Sequence, residues 1–145
     1  MSAERVQAFL TAFAAWAEGE PQIQAVALVG SHARGTAGDT SDVDLVIIAD
    51  DPARYVHDLG WSHRFGPVAQ FQIEPYGKLT SLRVWYDGGL EVEYGFTDVR
   101  WIATPLDEGT RQVVSHGLRV LFERDRILTT TLAMHPPAPV RSFDP

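Results

Sequence analysis

The chain contains no cysteine. Disulfide cross-links, thiolate metal sites and a cysteine nucleophile are excluded together, and the absence fits a reducing compartment. Lysine is almost as scarce, with Lys78 the single example, and the arginines are scattered along the chain. With a formal net charge of -7, the clustered cations that grip phosphate backbones are missing, which argues against a general nucleic-acid binder. No apolar run approaches the length needed to cross a bilayer as a helix, and no basic segment leads into an apolar one at the N-terminus. A soluble, cytoplasmic protein is the expectation. Internal repeats, a P-loop and a dinucleotide fingerprint are also lacking.

What remains is ordinary globular material. A chain of 145 residues, 45% of them hydrophobic, suffices for one domain with a real core. Residues 4–17 place Val6, Phe9, Leu10, Phe13, Trp16 and Ala17 at helical spacing, and Gly19 and Pro21 end the pattern, so an amphipathic helix is predicted. Residues 23–29 (IQAVALV) form a continuous apolar run of strand length and read as a buried strand.

The informative stretch is residues 30–48, GSHARGTAGDTSDVDLVII. Gly30 ends the first strand where a sharp turn and close ligand approach are possible. Ser31 follows at the expected start of a short helix, whose free N–H groups favour an anion. Asp42 and Asp44 then stand two residues apart on a strand that continues Leu45, Val46, Ile47, Ile48, so alternation sends both carboxylates to one face. Two such carboxylates, roughly 6 to 7 Å apart at the mouth of an apolar strand, repel unless a cation sits between them. For an all-oxygen site that cation is Mg2+. A glycine-rich loop thus joins a phosphate cradle to a metal-binding strand.

Gly-Ser, about ten residues, then Asp-x-Asp in an apolar strand resembles the signature of the DNA polymerase beta-like nucleotidyltransferase superfamily. The Ala33-Arg34-Gly35 and Ser41-Asp42 details are similar to its small bacterial members, the minimal and aminoglycoside nucleotidyltransferase-like proteins. The resemblance implies an α/β (α+β) nucleotidyltransferase fold, a mixed central sheet flanked by helices in a single domain, here residues 1–135, with 136–145 a Pro-rich C-terminal tail. It implies that Gly30 and Ser31 hold the triphosphate of an NTP, ATP above all, and that Asp42 and Asp44 bind Mg2+ as two ions. Arg34 is a further phosphate clamp or a structural salt bridge. A third carboxylate is implied on a later strand.

A hairpin supplies the candidates for it. Residues 81–86 and 90–96 flank Asp87-Gly88-Gly89, whose glycines permit a tight turn. Leu90, Val92, Tyr94 and Phe96 share one face, and Glu91 and Glu93 the other. Glu93 is chosen as the third acid for its depth in the strand, with Glu91 as the alternative.

Elsewhere the pattern predicts a helix over residues 52–60 with Asp51 as cap and Pro52 at its first position. Trp61, Phe65 and Val68 are packing residues in an irregular connection, and His57 and His63 lack the spacing of a zinc site. A helix over 105–114 with Thr104 as possible cap and a strand over 118–123 complete the domain.

The resemblance also frames the acceptor. A hydroxyl of a small molecule such as an aminoglycoside is the first reading, with a homodimer or the protein's own loops completing the wall that a C-terminal helical domain provides in antibiotic-modifying relatives. A second is an antitoxin-like protein that binds and adenylylates a helical partner, and a third is a non-catalytic nucleotide-binding partner protein.

Overall fold

Two apolar strands and a hairpin set the frame of the molecule. The computed structural model describes residues 2–38 and 41–135; Asp39 and Thr40 of the expected turn, and the Pro-rich stretch 136–145, lie outside them. Helix α1 (Ala3–Glu18) starts at Ser2, whose hydroxyl accepts the Arg5 N–H, and ends at Gly19. Strand β1 (Ile23–Val29) leads directly into the short helix α2 (Gly30–Arg34), and β2 (Val43–Ala49) follows the connecting loop. That loop is pinned by the Gly38 N–H donating to Ser41 Oγ at 2.9 Å.

Helix α3 (Pro52–His57) begins at the expected proline, but the Asp51 carboxylate makes no capping bond. It also stops earlier than expected. Asp58 spends its carboxylate on the Gly60 N–H at 3.1 Å, a local turn that competes with another helical turn. A 3-10 turn (Gly60–Phe65) follows.

The interval from 66 to 78 departs from the irregular connection anticipated: Val68–Tyr76 is strand β3, paired antiparallel with β4 (Leu79–Tyr86). Almost all of β3 is exposed, so it has no buried face to mark it, and Pro75 is tolerated because the strand lies at the edge of the sheet. Strand β5 (Glu91–Thr97) closes the expected hairpin, with Gly88 and Gly89 at φ of 95° and 99°.

Helix α4 (Glu108–His116) begins later than anticipated. Asp107 rather than Thr104 is its cap, accepting the Thr110 N–H at 2.8 Å while its other oxygen pairs with Lys78 at 3.0 Å. Strand β6 (Arg119–Glu123) then pairs with β1. Helix α5 (Ile127–Met134) is unforeseen, and its N-terminus is held by Glu123, whose Oε1 accepts from the Leu128 and Thr129 N–H groups.

The six strands form one mixed sheet in the order β3-β4-β5-β2-β1-β6. Only β2 and β5 run parallel; the other neighbours are antiparallel. On one face, α1 and α3 cover a core built from Leu28, Leu45, Ile47, Val92, Tyr94 and Phe96. Phe13, with no exposed surface, lies 5.4 Å from Tyr94 and 5.3 Å from Phe65, and Trp16 stacks on Trp61 at 5.3 Å and 18°. The expected packing roles of Trp61, Phe65 and Val68 are therefore met.

The other face is covered more sparingly. Ala25, Ala27, Val46 and Ile48 meet Trp101 and Leu128, with Val113 and Ile127 alongside. The β4–β5 end of this face stays open. Together these layers make a single small α/β domain of the mixed-sheet type. Among the described residues no helix is long and apolar enough to cross a membrane.

Candidate active site

Strand register assembles the site. Val29, the last residue of β1, pairs with Asp44 of β2, so the residue after it, Gly30, lies against the Asp44 side chain. Gly30 has φ of 74°, and a Cβ there would overlap Asp44 Oδ2. Glycine is needed twice at this position, for the backbone turn and for the space the carboxylate fills. On the other side of β2, the parallel register sets Asp44 beside Glu93 of β5. Neighbours in register share a face, so the two acids point the same way.

Asp42 joins them from the residue before β2. Asp42, Asp44 and Glu93 each offer a carboxylate oxygen within 4.8 Å of the others, and this is the acidic trio among the described residues that a metal ion would suit. Glu91 lies outside the trio. Ser81 of β4 donates its hydroxyl to Glu93 Oε1 at 2.9 Å, which fixes that carboxylate's orientation.

Charge is unevenly balanced within the trio. Arg83 of β4 reaches Asp42 Oδ2 at 3.1 Å and Glu93 Oε2 at 2.7 Å, and also bonds Glu91. Desolvation works to lower the pKa of Arg83, but the bond to Glu91 and the charges of Glu93 and Asp42 outweigh it and raise it. Asp44 has no such partner. Its Oδ1 is buried without a hydrogen bond among the described residues, and its pKa is raised to about 8, first by burial and then by the neighbouring Asp42 and Glu93 carboxylates. A buried, unpartnered carboxylate oxygen among other carboxylates has the donor chemistry of a hard divalent cation site. The trio fits a divalent metal ion on that ground.

Gly30, Arg34, Asp44 and Glu93 line a cleft of about 350 Å³, together with Gly95, Tyr76, Leu79, Val113 and His116. Ser31 stands behind the rim in α2, half-buried, its carbonyl accepting the Thr36 N–H at 2.9 Å. Arg34 is exposed at the rim and forms no ion pair among the described residues. His57 and His63 are exposed and belong to no metal-suited group among the described residues.

Ser81 and Arg83 were not anticipated, although the hairpin contained the signal. A turn at residues 87–89 pairs Tyr86 with Leu90, and counting back places Arg83 opposite Glu93.

A family model described as a nucleotidyltransferase domain matches residues 13–90, more than half of the chain and including Gly30, Ser31, Asp42 and Asp44. The chain belongs to this nucleotidyltransferase family. Solved structures similar to it include an aminoglycoside 6-adenyltransferase from Bacillus subtilis, at 16% identity and a TM-score of 0.53, over 70% of this chain and 37% of that one. The polymerase core of TRAMP, an RNA surveillance complex, is similar at 11% identity and a TM-score of 0.49, over 66% of this chain and 32% of that one. A toxin-antitoxin structure with AMP-PNP is similar at 14% identity and a TM-score of 0.39, over 92% and 86% of the two chains. At these identities the likeness is one of fold. The nucleotidyltransferase chain thus spans about a third of the length of the first two of these structures. No curated protein matches its sequence.

Proposed function

We propose that this protein is a Mg2+-dependent nucleotidyltransferase that moves AMP from ATP onto a hydroxyl of a cationic small molecule, with aminoglycosides as the acceptor class. The observation that carries the reading is the convergence of Asp42, Asp44 and Glu93 on one point beside Gly30, at the edge of an open cleft. The acceptor class is supported by the net charge of -7 and by the activity named for the Bacillus subtilis structure of similar fold.

In this reaction the acceptor hydroxyl gives up its proton, to a carboxylate of the trio such as Glu93, as its oxygen attacks the α-phosphorus; the bond from the α-phosphorus to the bridging oxygen breaks and pyrophosphate departs. Asp42, Asp44 and Glu93 would hold the metal, as two ions in the full complex, and the metal would supply charge stabilisation to the attacking and departing oxygens. The chain's own residues position the rest. Gly30 leaves room for the triphosphate to approach the backbone, and the first turn of α2 with Ser31 offers N–H and O–H donors to its β and γ phosphates. Arg34, with a planar fork of donors at the cleft rim, clamps a phosphate oxygen. Ser81 holds Glu93 in place, so that carboxylate need not reorganise when ligands arrive.

The test is label transfer. The full-length protein is incubated with α-labelled ATP, GTP, CTP or UTP and Mg2+, together with an aminoglycoside panel or cell lysate. Label from ATP on a drug, lost in Asp44→Asn and in EDTA, is the expected result. Label on a protein band instead would move the acceptor to a protein partner, and no transfer from any nucleotide would overturn the reaction.

A further inference from the structure

Arg83 enters the carboxylate cluster from β4, directly across the hairpin from Glu93. Its two terminal nitrogens are divided among three acids: one meets Asp42 and Glu91, the other Glu93. Asp42 and Glu93 belong to the trio that would hold a cation, and Glu91 does not. Asp44 receives no bond from the guanidinium among the described residues.

A guanidinium cannot lose its charge by titration in a protein, so the Asp42 and Glu93 oxygens it holds are freed only when its side chain moves. An N–H donor and a divalent cation directed at the same carboxylate oxygens exclude each other by charge and by space. The side chain has somewhere to go. It is 31% exposed, Glu91 is 30% exposed beside it, and the Trp85 ring lies 5.9 Å from its guanidinium carbon.

We propose that Arg83 is an internal counter-ion that competes with the divalent cation for Asp42 and Glu93, and that it keeps its bond to Glu91 when the cation binds. The inference rests on the trio being a metal site. It gives Glu91 a separate task, as the anchor of Arg83 rather than a metal ligand. It also eases the crowding of the trio before any ligand arrives, because the single positive charge of the arginine is shared by Asp42 and Glu93 as well as by Glu91. Arg83 is then a positioning residue that sets metal affinity.

The experiment measures Mn2+ binding without nucleotide, by the loss of the free-ion electron paramagnetic resonance signal, for the full-length protein and for Asp44→Asn, Arg83→Gln and Arg83→Lys. If Arg83 holds the site closed most of the time, its removal in Arg83→Gln tightens Mn2+ by about tenfold, since apparent affinity scales with the open fraction. Lysine keeps the charge but loses the fork, so Arg83→Lys tightens binding by about threefold. Tightening in Arg83→Gln with Arg83→Lys equal to wild type would reduce the effect to charge at a distance and overturn the proposal. Unchanged or weaker binding in both variants overturns it as well. Should Arg83→Gln lack the wild-type circular dichroism spectrum, Arg83→Lys alone decides. Mn2+ binding by wild type that Asp44→Asn abolishes upholds the site whatever the arginine variants do. Absence of binding in every protein removes the site itself, and the counter-ion with it.

Discussion

Asp44 is the acid of the trio without a counter-charge. The metal-free folded protein holds a proton there up to about pH 8, whereas the unfolded chain releases it near the ordinary value of 3.8. Between those values the folded state binds more protons, so this group's contribution to stability falls as pH rises. Asparagine at the position cannot ionise. In EDTA, the melting temperature of wild type therefore declines more steeply from about pH 5 to about pH 8 than that of Asp44→Asn, and the variant is the more stable of the two at the upper end. Parallel melting curves for the two proteins across that range would contradict the assignment. Mg2+ should raise the wild-type melting temperature most at the upper end, where the carboxylate is free to bind, and leave Asp44→Asn unmoved.

Elements differ in how firmly they are built and in how plainly the sequence announces them. Phe13 on α1 has no exposed surface and touches several rings, so Phe13→Ala removes packing on all sides and should cost about 3 to 5 kcal/mol. Phe71 on β3 is 53% exposed, and Phe71→Ser should cost less than about 1 kcal/mol. Urea unfolding of both variants checks the contrast, and a Phe71→Ser cost near that of Phe13→Ala would mean that β3 carries core stability. The same difference governed legibility. Helix α1, strands β1 and β2 and the hairpin each bury one face or both, and burial writes a period into the residues. Strand β3 buries neither face, so its alternation of Phe71 and Ile73 with Gln70, Gln72 and Glu74 had no counterpart in a core and was masked by Pro75. The onset of α4 was misplaced because two capping residues, Thr104 and Asp107, stand close together and only Asp107 meets the helix. Helix α5 depends on Glu123, a partner in the preceding strand, and no local pattern records that. At the site, Asp42 and Asp44 are singled out by their i, i+2 spacing at the mouth of an apolar strand together with Gly30 and Ser31 about ten residues upstream. Glu93 is preferred over Glu91 in the sequence only for its depth in the strand; the pairing of β2 with β5, strands almost fifty residues apart, is what sets it beside Asp44, and a local reading does not contain that pairing.

Across the whole molecule, one sheet separates packing from chemistry. The face under α1 is filled by aromatic rings, whereas the opposite face is left open where β4, β5 and β2 present polar side chains. The four tryptophans are distributed accordingly. Trp16 and Trp61 stack on the filled face, Trp101 is buried in the second core, and Trp85 stands beside Arg83. The stacked pair should couple as excitons, giving a circular dichroism couplet that reports the aromatic core and persists when metal binds. Trp85 should report the cleft, its emission changing as the neighbouring guanidinium leaves Asp42 and Glu93. Addition of Mg2+ is therefore expected to alter tryptophan fluorescence in wild type but not in Trp85→Phe, with the couplet the same in both; an equal fluorescence change in Trp85→Phe would place the signal elsewhere. The partition of rings between the two faces thus gives the fold separate optical channels, one for the integrity of its core and one for occupancy of its cleft.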